Sequence, residues 1–103
     1  MYADDRDAIM EIFKKHGYKQ FSSDLSVVRV KGKGRFGEYV AVHPEKGSYT
    51  LYVRRGGAEY LLEVAEDLGG SLDGPVLAFR SLDLAGIDRM VGRLVASLKN
   101  YTV

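Results

Sequence analysis

Cysteine is missing from this chain of 103 residues, and that absence removes disulfide scaffolds, thiolate zinc sites, iron–sulfur clusters and cysteine nucleophiles from consideration. Long apolar runs are missing too: none approaches the roughly 20 consecutive residues that a membrane-spanning helix needs, so no membrane partner is expected. The first residues, Met1-Tyr2-Ala3-Asp4-Asp5-Arg6-Asp7, are acidic where an export signal is basic and then apolar, which makes cytoplasmic residence the expectation. Charge of one sign is scarce. Fifteen Lys and Arg against 14 Asp and Glu leave a formal net charge of +1, unlike the basic profile of a DNA-coating protein or the acidic profile of a solvating tail. Histidine occurs only at His16 and His43. Without cysteine a zinc site must draw on carboxylates, and neither histidine has an i, i+4 partner, so neither metal nor cofactor is expected.

What is present is 46% hydrophobic residues, sufficient for one core. A chain of this length is one domain, here residues 1–103, and buries roughly two-thirds of its unfolded surface. From Asp5 to His16, Ile9, Ile12, Phe13 and His16 recur at three- and four-residue spacings, with acids at the start and Lys14 and Lys15 at the end, which predicts a helix matched to its dipole. Asp4 or Asp5 can cap it, and Gly17 suits the left-handed residue that stops it. After a polar connection through Ser22, Ser23 and Asp24 the period becomes two. Val28 and Val30, then Val40 and Val42, then Tyr49, Leu51 and Val53 alternate with outward residues, predicting a three-stranded antiparallel meander. The stretch His43-Pro44-Glu45-Lys46-Gly47-Ser48 carries the Pro and Gly of a four-residue hairpin loop between the last two strands. Helical spacing returns from Ala58 to Leu68 and ends at Gly69-Gly70; Val76 to Phe79 reads as a short strand, and Ser81 or Asp83 caps a last helix with Leu84, Ile87, Val91, Leu94, Val95 and Leu98 inward. The expected architecture is α+β, a two-layer sandwich of order α-β-β-β-α-β-α, with an antiparallel four-stranded sheet carrying helices on one face.

Gly32-Lys33-Gly34-Arg35-Phe36-Gly37 is a literal G-x-G-x-x-G. In dinucleotide-binding folds that pattern follows a strand and opens a helix, so that the pyrophosphate rests on the helix N-terminus; here strands are expected on both sides. The protein-kinase glycine loop does join strands, yet Val40-Ala41-Val42-His43 has histidine where the phosphate-pairing lysine belongs, and neither His-Arg-Asp nor Asp-Phe-Gly occurs. A long hairpin turn using glycine's positive φ angles is the simpler reading, with phosphate cradling as its alternative. Gly69-Gly70-Ser71-Leu72-Asp73-Gly74 lacks the spacing of a nucleophile elbow, and Glu63 and Asp67 sit one turn apart on a polar helix face. No catalytic constellation emerges.

Near-neutrality hides polarity along the chain. Residues 1–55 hold 11 basic and 7 acidic residues, net +4, and residues 56–103 hold 4 and 7, net −3. If Val42 pairs with Tyr49 and Val30 with Val40, then Arg29, Lys31, Tyr39, Tyr52 and Arg54 share the outer sheet face, flanked by Lys33, Arg35 and Arg55. Cations interleaved with aromatic rings on an open sheet are what single-stranded nucleic acid uses, phosphates meeting cations and bases stacking on rings. Long cationic and tyrosine side chains also simply keep the wet face of an antiparallel sheet soluble.

Tyr39-Val40-Ala41-Val42-His43-Pro44-Glu45-Lys46 followed by Tyr49-Thr50-Leu51-Tyr52-Val53, and Gly74-Pro75-Val76-Leu77-Ala78-Phe79-Arg80-Ser81-Leu82-Asp83 leading into Ile87 and Val91, resemble small bacterial and archaeal domains of the YdhG-like kind. The resemblance covers roughly residues 27–98 and lies in hydrophobic pattern and turn placement. It implies a meander, a helix, a late strand and a C-terminal helix. Such relatives sometimes accompany restriction or transport proteins, but the family has no settled activity, so no functional residues carry over. The expected function is that of a small binding domain without catalytic residues, taking single-stranded nucleic acid or another polyanion on its basic face. A protein-interaction or self-assembly module, such as a homodimer docking the Glu59/Glu63/Glu66/Asp67 helix face on the basic sheet, is the second reading. A small-ligand binder or enzyme is the third, and requires a concave pocket with convergent polar groups.

Overall fold

The computed structural model describes residues 3–19, 21–23, 27–31, 39–54, 64–66, 68–74 and 76–98. Along them run helix α1 (Ala3–Lys15), strands β1 (Phe21–Ser23), β2 (Val28–Lys31), β3 (Tyr39–Glu45), β4 (Ser48–Arg54), β5 (Ser71–Asp73) and β6 (Val76–Leu82), and helix α2 (Leu84–Leu98). Residues 64–66 and 68 are helical, inside the 58–68 span whose spacing predicts a helix. The Gly32–Gly37 motif, and residues 58–63 and 67 of that helical span, lie outside the described residues.

The fold is α+β, with one antiparallel sheet of order β1-β2-β3-β4-β6-β5. It has six strands where four were expected. The additions are three residues each: Phe21–Ser23, which pairs with Val28–Val30, and Ser71–Asp73, which pairs with Val76–Ala78. Segments so short and so rich in Ser and Asp carry no alternation of their own and become strands only through a neighbouring ladder.

The hairpin between β3 and β4 is also tighter than expected. Glu45 pairs with Ser48, and the turn is Lys46-Gly47 alone, with φ of 48° and 84°. Two consecutive positive φ values are what a two-residue turn of the I′ type requires, and glycine in the second place suits it. In such a hairpin the closing pair exchanges hydrogen bonds, so Pro44, paired with Tyr49, falls where β4 needs no N–H from it. Val42 therefore pairs with Leu51 rather than with Tyr49. That correction is a shift of two residues, and because strand faces alternate with a period of two, every side chain stays on its predicted face.

The inward face is built from Val28, Val40, Val42, Leu51, Val53 and Leu77, all fully buried together with Ile9 and Phe13 of α1, Val64, and Ile87, Val91 and Leu94 of α2. Full burial of one such side chain is worth about 1.5–3 kcal/mol, so this layer dominates the stability. Both labelled helices lie on this face, α1 against β2 and α2 against β4 and β6. A bulge adjusts the phase of β6. Leu51 pairs with Phe79 but Tyr49 with Leu82, and Ser81 takes a φ of 60°; the extra residue lets both Phe79 and Leu82 pack inward while Arg80 points outward.

Helix ends follow local chemistry. Gly17, at φ 91°, donates to the Lys14 carbonyl at 2.9 Å while Tyr18 N donates to the Phe13 carbonyl at 3.0 Å, and the Tyr18 ring meets Phe13 edge-on at 5.3 Å. Paired bonds of this kind plus an apolar contact form the Schellman stop. Asp5 lies in the first turn of α1 and accepts the Tyr49 hydroxyl at 2.5 Å, joining the helix to β4. Of the two candidate caps for α2, Asp83 serves: its Oδ1 accepts the Gly86 N–H at 2.7 Å. The far end of α1 is tied to α2 by Asp88, which pairs with Lys15 and accepts from His16 Nε2 at 2.7 Å. Those two partners, Lys15 foremost, hold the Asp88 carboxyl below the usual carboxylate range. Among the described residues no helix is long and apolar enough to cross a membrane.

Candidate functional site

The sheet face turned away from α1 and α2 carries the alternate residues of each strand. Cross-strand pairing sets Arg29, Ala41, Tyr52 and Ala78 in one row and Tyr39, Arg54 and Val76 in the next. Two of these positions bear only a methyl group. Ala41 is the low point on its side of Tyr52, with Tyr39 and His43 two residues away along β3 and Arg29 and Tyr52 opposite it.

Tyr52 leans away from that low point. Its hydroxyl donates to Glu45 Oε1 at 2.7 Å, toward the hairpin end, and Thr50, which belongs to the outer face and donates to the same carboxylate, is fully buried. The His43 ring meets Tyr52 edge-on at 5.2 Å and 90°, and the Arg80 guanidinium carbon stands 5.9 Å from the ring centroid. With Tyr52 drawn aside, a depression of about 740 Å³ opens over Ala41, walled by Arg29, Tyr39, His43, Tyr52, Arg54 and Val76. Its size is that of a pocket for one ligand unit.

Glu45 organises the charges around it. It accepts from Tyr52, from Thr50 Oγ1 at 2.9 Å and from Arg80 at 2.9 Å, and these bonds, Tyr52's the largest, hold its carboxyl below its usual range. The same bond pushes the Tyr52 phenol up, and Tyr52 and Glu45 together raise Arg80. Arg80 is thus answered by a carboxylate. Arg29 and Arg54 meet none within 4 Å among the described residues. They stand on β2 and β4 with β3 between and one row apart, so their backbones are about 12 Å from each other at the usual strand spacing and rise. Two guanidinium groups on either side of a ring-walled hollow can hold an anion that also presents a flat face.

Of the residues singled out in the sequence, Arg29, Tyr39, Tyr52 and Arg54 line this one hollow. The backbone of Lys31 pairs with Tyr39 beside it. Lys33, Arg35 and Arg55 lie outside the described residues. The sequence places His43 at the start of the His43–Ser48 loop stretch and so does not mark it as a wall; its parity with Tyr39 is the signal that finds it. Glu45 falls in that same loop, and Arg80 falls one residue past the strand that the spacing predicts at Val76 to Phe79, although its parity with Val76 and Ala78 already turns it outward. A second hollow of about 480 Å³ beside Tyr49 and the start of α2 includes Asp5 and Asp83, but Asp5 already serves Tyr49 and Asp83 already serves Gly86. Among the described residues no group of three or more His, Cys, Asp or Glu is placed to hold a metal ion. No family model, curated protein or solved structure matches the chain.

Proposed function

We propose that this chain is a small binding domain whose outer sheet face takes single-stranded nucleic acid. The observation that carries the reading is the depression over Ala41, with Arg29 and Arg54 on its two sides, unanswered by any carboxylate among the described residues, and Tyr39 exposed over half its surface, at 53%. Such a surface attracts phosphates by charge and keeps bases by ring contact, without reading sequence. With about four phosphates engaged, log affinity falls against log salt with a slope near −3. Titrating a labelled oligonucleotide from 50 mM salt upward, with the wild type and with Arg29, Lys31 and Arg54 jointly replaced by alanine, tests the reading. Absence of binding by the wild type, or binding unaltered in the triple variant, overturns it.

A second reading has its own observation. Edge strand β5 is exposed along its length and carries Leu72, 40% exposed, on a ladder that no other described strand pairs, of the kind that invites a second copy. Light scattering that shows a concentration-independent monomer removes homodimerisation.

A further inference from the structure

We infer that the depression over Ala41 is a subsite for one unpaired nucleobase, seated on the Ala41 methyl beside Tyr39, with its two flanking phosphates on Arg29 and Arg54. The inference rests on the nucleic-acid reading of this face and sharpens it from a charged surface to a site with one defined occupant.

Three observations converge. The hollow exists because Ala41 is small and Glu45 draws Tyr52 aside by a 2.7 Å bond, so it is held open by fixed groups rather than by chance side-chain placement. Its floor and part of its wall are apolar, Ala41 and Val76, while the cations stand at the rim. That arrangement suits a flat heterocycle below and anionic groups above, and does not suit a bare anion, which leaves the floor empty. The cations, finally, flank the hollow instead of clustering on one side. A nucleotide within a strand has a phosphate on each side of its sugar, so one base at the centre brings one phosphate to each guanidinium. A base inside a duplex is paired and turned inward, and offers only its backbone to such a face.

The test separates the base from its phosphates. Fluorescence anisotropy compares a labelled ten-residue oligothymidylate with an abasic phosphodiester chain of the same length, which has the same charges and no bases. Stacking is worth about 1–3 kcal/mol per base, so the oligothymidylate binds the wild-type chain about 5- to 150-fold more tightly than the abasic chain. Ala41→Leu fills the floor and keeps every charge; it binds both probes alike, at the level of the abasic chain. Ala78→Leu, on the other side of Tyr52 and outside the hollow, keeps the preference. Circular dichroism melts verify that both variants fold, and the paired probes on the wild type decide the matter without either variant. Equal binding of the two probes by the wild type overturns the subsite and leaves the polyanion reading standing. A preference that survives in folded Ala41→Leu, or a thymidylate–adenylate duplex that binds as tightly as the single strand, also overturns the subsite. Failure of both probes to bind at 50 mM salt overturns the nucleic-acid reading itself.

Discussion

Gly92 sits in the middle of α2, where an interior glycine costs about 1 kcal/mol relative to alanine. The obvious expectation is that Gly92→Ala stabilises the fold by that amount. The contact with α1 opposes it. A Cβ at position 92 comes 3.2 Å from His16 Cε1, with Nε2 at 3.8 Å and Nδ1 at 3.9 Å, whereas carbon atoms rest about 3.5–4.0 Å apart. The imidazole is not free to withdraw, because its Nε2 is bonded at 2.7 Å to Asp88, one turn back on the same helix. Overpacking costs roughly 1–3 kcal/mol, and a ring that retains 22% exposure gives way at the low end of that range, about 1 kcal/mol. Gain and loss nearly cancel. Gly92→Ala alone therefore changes the stability by close to zero, while in a His16→Ala background the same substitution shows its full gain of about 1 kcal/mol. Urea unfolding of the four proteins, with unchanged m-values, gives the cycle. A full gain from Gly92→Ala in the presence of His16 refutes the steric argument, as does no gain in its absence.

Three further outcomes follow from contacts and turns already described. The Asp88 and Glu45 carboxyls titrate below their ordinary values of 3.8 and 4.5, so the stability they add is complete above those values and disappears as the pH falls through the lowered ones; melting temperatures of Asp88→Asn with Glu45→Gln show a flatter acid limb than the wild type. The Tyr52 phenol is raised above 10.0, so its bond persists below that pH and is lost as the pH climbs through the raised value, and ultraviolet titration loses a late phenolate step in Tyr52→Phe. Gly47→Ala meets open space but a φ of 84°; it lowers stability by about 1 kcal/mol or somewhat more in urea unfolding, and an unchanged midpoint contradicts the two-residue turn.

The strand faces, the Gly17 stop and the Asp83 cap were legible because each depends on neighbours within four residues. Val40, Val42, Leu51 and Val53 declare the buried face by alternation alone, and that alternation also brought Arg29, Tyr39, Tyr52 and Arg54 together on paper. The rest depends on distant partners. β1 and β5 are strands only because β2 and β6 lie beside them. Pro44 reads as a break, yet the I′ geometry at Lys46-Gly47 extends β3 beyond it and carries Glu45 into reach of Thr50, Tyr52 and Arg80. The depression itself was hidden for the same reason. Nothing in the string of residues says that Tyr52 bends toward the hairpin, and without that bend Ala41 is an unremarked small residue among large ones.

The separation of the two sheet faces has a consequence for how this chain can change over generations. Arg29, Tyr39, Ala41 and Arg54 hang from a backbone whose pairing is set by the I′ turn and by the inward valines and leucines, and none of the four belongs to the buried cluster that anchors the helices. Replacing the exposed Arg29, Tyr39 and Arg54 changes the walls of the hollow at little cost in folding free energy, whereas Ala41 is buried and a larger side chain there has to be accommodated. The outer face is therefore free to vary under selection, and a library randomised at the three exposed positions samples new wall chemistries on a scaffold that keeps folding.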